Sequence, residues 1–219
     1  MPATEEMLYD TLSVAIARTT RHLANQQNVD LNSLWLLFDN VKCLPLVRPS
    51  KWYSVLFQAF HKGFKGTDRY VPFVEWWGLE NFTDEDYQKS KMPDGTEIMA
   101  IAEQAYIAYS KQLLPKHDGF GEIIFDKERV QDFMPKLDRV IDNHPELDYP
   151  PYYKAKLLLA LGDKDNLLSA ILPFAKKMRH AFWVWEVLSE AFTNEEMVLA
   201  CYCRALACKA PEEMLVNLR

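Results

Sequence analysis

Three of the chain's four cysteines fall within one short stretch, ACYCRALACKAP, where Cys201, Cys203 and Cys208 invite the question of a metal site. Zinc bound by thiolates needs donors converging from four directions, usually as two close cysteine pairs. On a helix Cys201 and Cys208 share a face, but Cys203 sits about 200° around the axis from Cys201. The fourth cysteine, Cys43, belongs to the opposite end of the chain. Spacing therefore predicts thiols that pack as small apolar groups, and neither a metal nor a cofactor is expected.

The other stretch with reactive residue types is KHDGFGE, where His117, Asp118 and Glu122 flank two glycines. A hydrolase could build on such a 117–122 loop, but no nucleophile–base pair, oxyanion motif or metal signature accompanies it. Its glycine spacing also lacks the strand and helix that a phosphate-binding loop requires. A connector is the simpler expectation. The histidines, at 22, 61, 117, 144 and 180, are scattered and form no metal-binding spacing. No catalytic residue is predicted.

What must position any site is a set of helices. The 219-residue chain has 7 glycines, 49% hydrophobic residues and no apolar run long enough to span a membrane. Helical spacing appears from Thr4 to about Ala24 (Leu8, Leu12, Ala15 and Ile16 forming one face) and from Leu31 to Leu44. It continues from Ser50 to Gly63, across Val71 to Leu79, and from Thr96 to about Leu114. Beyond Asp126 the pattern alternates with short connections, predicting helices over 126–143, 151–161, 165–179, 182–192 and 195–209. Only EIIF reads as strand. The acidic start lacks the features of a signal peptide, so a cytoplasmic location is expected.

Pro135 and Pro173 each follow an Asp-Lys pair, and each precedes a helix opening on large aromatics. Such recurrence suggests stacked helix pairs. In the last pair Trp185, Leu188 and Phe192, then Tyr202, Ala205 and Pro211, resemble the tetratricopeptide repeat. The resemblance implies a degenerate tetratricopeptide-like α-solenoid of antiparallel helix pairs, an all-α fold. Residues 1–125 read as a degenerate helical region and 126–219 as the repeats, packed as one continuous array. The stretches FWVWEVLSEAF and ACYCRALACKAPEEMLVNLR are also similar to the helical front part of long bacterial proteins associated with TOTE-type conflict systems. In those proteins S1 or cold-shock-like domains follow, which implies that this chain is a fragment.

Function then reduces to binding. Residues 1–150 carry 16 basic against 23 acidic side chains, and residues 151–219 carry 9 against 8, which disfavours broad nucleic-acid binding. The basic knot KKMRH either complements a helix C-terminus or, through Lys176, Lys177 and Arg179, touches a partner. Trp185 is expected in the core; Trp183 is either sandwiched or an anchor for a partner peptide. The expected role is a non-catalytic interaction scaffold for a protein or peptide, or for a downstream domain. The alternatives are the helical part of an RNA-associated regulator and, below it, the hydrolase. Met214, Leu215 and Leu218 begin an apolar face that predicts either self-association through the C-terminal end or fraying there.

Overall fold

The computed structural model describes residues 3–26, 28–117 and 119–209, and the segment carrying Met214, Leu215 and Leu218 lies outside them. The fold is all-α, with 67% of the described residues helical against about a third in an average soluble protein. No helix among the described residues is long and apolar enough to cross a membrane. The chain divides into two compact units, Met1–Gln112 and Leu113–Arg219.

The first unit contains α1 (Ala3–Ala24), α2 (Leu31–Lys42), α3 (Lys51–Phe64), α4 (Tyr70–Trp77) and α5 (Ile101–Leu113). Asp30 caps α2 by accepting the Asn32 and Ser33 N–H groups at 3.0 and 3.2 Å. Ser50 caps α3 by accepting the Tyr53 N–H at 3.2 Å. Each cap satisfies helix-end donors that the helix itself cannot.

The inner face of α1 differs from the expected one. Ser13, Ala17, Thr20 and Ala24 are buried, whereas Leu8 is 64% exposed and Ala15 also faces outward. The helix packs on α3, where a Cβ on Gly63 would lie 3.3 Å from Ala24 Cβ and collide with Leu34 Cδ2. Small residues on both helices let the backbones come close, so the stripe that packs is the small one rather than the greasy one.

Behind this contact lies an aromatic core. Phe38 of α2 meets Phe60 and Phe64 of α3 edge-on at 5.4 and 6.0 Å. It also meets Phe73 and Trp76 of α4 at 5.3 and 5.1 Å. Tyr53 stacks on Trp77 with ring centres 3.5 Å apart. Edge-on and offset rings of this kind add stabilisation beyond their burial. A polar pair is buried at the edge of the core: His61 Nδ1 lies 2.7 Å from the Tyr70 hydroxyl. Burial, with a smaller contribution from the Lys65 charge, lowers the His61 pKa to about 4.

Between α4 and α5 the chain forms two short 3-10 turns and a hairpin. The hairpin's strands, β1 (Ser90–Lys91) and β2 (Glu97–Ile98), pair antiparallel. The helix expected from Thr96 therefore starts only at Ile101. Met92 N–H donates to Thr96 O at 2.8 Å and Gly95 N–H donates to Met92 O at 2.9 Å. The Asp94 carboxylate accepts the Thr96 N–H. Pro-Asp-Gly turn chemistry thus commits Thr96 to the hairpin before a helix can claim it.

The second unit opens with another small hairpin, β3 (Lys116–His117) and β4 (Ile123–Ile124). It continues as α6 (Lys127–Asn143), α7 (Pro150–Leu161), α8 (Lys164–Lys177), α9 (Phe182–Ser189) and α10 (Glu195–Leu206). Asp126 and Asp163, the acidic members of the two Asp-Lys pairs, are the N-caps of α6 and α8. Gly162 turns the chain at φ 80°, a conformation that only glycine adopts without strain. Asp163 N–H donates to Leu158 O at 2.9 Å and Gly162 N–H to Leu159 O at 3.0 Å. These two bonds close α7 in a Schellman motif, so α8 must run back along it. The main packing partners in the unit are α7 with α8 and α9 with α10. Leu167, Ile171, Phe174, Val184, Val187, Leu188 and Cys201 form the shared core.

Two outcomes follow for the first unit. Gly63→Ala is expected to destabilise the fold by about 1–3 kcal/mol through overpacking, read by urea unfolding. The unfolded imidazole titrates near 6.5 and the folded His61 near 4, so between those values the unfolded chain holds the extra proton. The His61 contribution is therefore complete above the unfolded pKa and is lost as pH falls through this window, by about 3 kcal/mol. The stability difference between the wild type and His61→Gln, measured at pH 7 and pH 4, should shrink by that amount.

Candidate functional site

The most distinctive surface of the second unit is a groove of about 690 Å³ at the ends of three helices. The segment after α8 supplies Arg179 and His180, α9 supplies Trp185, and α10 with its exit supplies Arg204, Ala207, Cys208 and Lys209. None of the described residues lining it is acidic. One carbonyl ties the elements together: Arg179 O accepts from Trp185 Nε1 at 2.9 Å and lies 3.9 Å from Cys208 Sγ. The indole is fixed by its own N–H, and the ring is only partly buried. An aromatic wall thus stands among three permanent cations, a combination suited to an acidic ligand with an apolar anchor.

The expected partner-binding residues separate in the structure. Arg179 lines the groove and is exposed. Lys176 is exposed on the last turn of α8, and Lys177 pairs with Asp148. Trp183 is half-buried among aromatics, 4.6 Å from Tyr152, 5.6 Å from Phe174 and 6.3 Å from Tyr149. Residues two apart on a helix point to nearly opposite sides, so Trp183 turns to the aromatics of α7 and α8 while Trp185 turns to the groove. The centre of α9's buried face is Val184, with Val187 and Leu188. Trp185, expected as the core position, is partly buried: it packs against that core and also lines the groove. Sequence spacing does not single out Arg204 and Lys209 as groove residues, since they lie far from Arg179 along the chain and meet it only because α10 folds back along α9.

Residues 148–219 match a family model described as a domain of unknown function, DUF7017. The matched segment begins just before α7 and contains the whole groove. No curated protein and no solved structure matches the chain.

The cysteines resolve one by one. Cys201 is buried in the shared core, and that burial raises its thiol pKa. Cys203 is exposed on α10, and Cys208 follows the end of the helix with its thiol 3.3 Å from Arg204 O. Among the described residues no three His, Cys, Asp or Glu side chains gather as metal ligands. In the 117–122 loop His117 is exposed on β3, its Nδ1 3.3 Å from Gly121 O, and Glu122 is exposed; Asp118 lies outside the described residues. On α9 burial raises the Glu186 pKa, against the opposing charge of Lys156 from α7.

The two tryptophans should differ on truncation. Trp183→Ala opens a cavity in the aromatic cluster and is expected to cost about 3 kcal/mol. Trp185→Ala removes a partly buried ring at the groove and one hydrogen bond but no member of the aromatic cluster, and is expected to cost less, about 1–2 kcal/mol. Denaturant midpoints of the two variants give the comparison; equal losses would place Trp185 in the core after all.

Proposed function

We propose that this chain is a non-catalytic helical-repeat interaction module whose C-terminal unit holds an acidic segment of a protein partner. The observation that carries the reading is the Trp185 face set among Arg179, Arg204 and Lys209 on an otherwise acidic chain. Paired helices with short reversals, α7 with α8 and α9 with α10, support the tetratricopeptide-like reading. In such arrays a partner is gripped by side chains projected from successive helices. Three cations steer an acidic segment and fix its register, while the partly buried indole supplies contact area at low conformational cost. The net charge of −6 weighs against nucleic acid as the ligand.

The test is recovery of partners by the full chain and by Arg179→Glu/Arg204→Glu, each with and without nuclease. A protein recovered by the wild type regardless of nuclease, and reduced at least about tenfold by the double variant, supports the reading. Recovery that nuclease abolishes favours the RNA-associated alternative. Recovery that the double variant leaves unchanged removes the groove from the interaction. A Glu212→Lys/Glu213→Lys variant separates a partner's acidic segment from the two glutamates that follow Lys209 in this chain.

A further inference from the structure

A second cleft, of about 460 Å³, lies wholly within the first unit and is independent of the groove. The last turn of α3 supplies His61 and Lys62, and its C-cap supplies Lys65. The 3-10 turn Asp84–Tyr87 supplies Glu85 and Asp86, and the approach to α5 supplies Met99 and Ile101.

His61 is the unusual member. It is only 4% exposed, and its Nε2 is buried without a hydrogen-bond partner. Its tautomer follows from counting donors. If the Tyr70 O–H donates to Nδ1, the imidazole proton sits on Nε2 and one buried donor is left unmet. If Nδ1 donates to Tyr70 instead, both the hydroxyl proton and the Nε2 lone pair are left unmet. The first arrangement leaves fewer groups unsatisfied, and the Tyr70 hydroxyl, its pKa raised by burial, keeps the proton that it donates. A buried N–H without an acceptor has lost its water and gained nothing in exchange. An acceptor entering the cleft would offset that loss.

The cleft's other groups say what kind of acceptor. Lys62 already donates to Asn25 but has two further N–H bonds, and the Lys65 charge reaches His61. Asp86 is occupied, its Oδ2 accepting from Ser54, the Thr83 N–H and the Thr83 hydroxyl. Glu85 is exposed on the rim. A simple anion would meet Lys62 and Lys65 but also the Glu85 and Asp86 carboxylates. A simple cation would meet the reverse. A ligand with both charges satisfies both walls.

We propose that this cleft binds a small zwitterion of the free amino-acid type. Its carboxylate takes the His61 Nε2–H and the Lys65 ammonium, its ammonium lies toward Glu85, and its apolar side chain rests on Met99 and Ile101. The binding is stoichiometric and involves no covalent step.

The test uses the full chain and ligand titrations followed by the His61 ring ¹⁵N signals. The probes are L-leucine and L-methionine, beside 4-methylpentanoate, which lacks the amine, isopentylamine, which lacks the carboxylate, and inorganic phosphate. One or both amino acids should shift the Nε2 signal saturably, and each single-charge analogue should bind about tenfold more weakly. Because His61→Gln disturbs the core, the exposed residues carry the argument. Lys65→Met and Glu85→Gln should each weaken the amino acid by about tenfold, while Glu85→Gln leaves 4-methylpentanoate bound at least as tightly, since it removes a like charge. The proposal is overturned if neither amino acid moves the His61 signals, if phosphate or a single-charge analogue binds as tightly, or if neither exposed variant changes the affinity.

Discussion

Helices of 8 to 17 residues dominate this chain after α1, and helices so short are marginal in water on their own. Each persists because its apolar stripe is covered by a neighbour, and the two units meet that requirement differently. In the first, bulky rings interlock around Phe38 while α1 approaches α3 through small residues. In the second, tight turns such as Gly162-Asp163 force each helix back on its predecessor, and the pairs share Leu167, Ile171 and Val184. Everything outside these covered stripes is free to carry ligand chemistry.

This division explains how much of the molecule is legible in its sequence. Helix periodicity locates the ten α-helices of the described residues because covered stripes leave a repeating mark. The caps are equally visible, since Asp126 and Asp163 precede α6 and α8 directly. The inner face of α1 is hidden because close backbone contact selects small residues, which apolar-stripe reading passes over. The hairpin at Ser90–Ile98 is hidden because the local turn overrides a helical continuation that Thr96 and its successors would otherwise favour. The groove is hidden for a third reason: Arg179 and Arg204 become neighbours only through the reversal between α9 and α10. Its one sequence trace is the basic knot ending at His180.

α9 shows how burial and display share one short element. Its eight residues put Val184, Val187 and Leu188 into the core and spread two indoles to either flank. On one flank Trp183 completes a cluster with Tyr149, Tyr152 and Phe174, the aromatics that open and face the preceding pair. On the other, Trp185 is pinned by its N–H to a backbone carbonyl. That bond satisfies the indole's one polar group, so the ring can remain at the surface in a fixed pose. A loose aromatic there would lose entropy on meeting a ligand; this one has already lost it.

The groove also carries a sulfur at its edge. Cys208 is a free, half-buried thiol beside the cations, while the exposed Cys203 lies outside that lining. An acidic fragment bearing a mild electrophile and drawn to those cations would meet Cys208 rather than Cys203. The surface is therefore open to covalent tethering, in which the rate of thiol capture sorts a set of fragments by how well their shapes fit the groove.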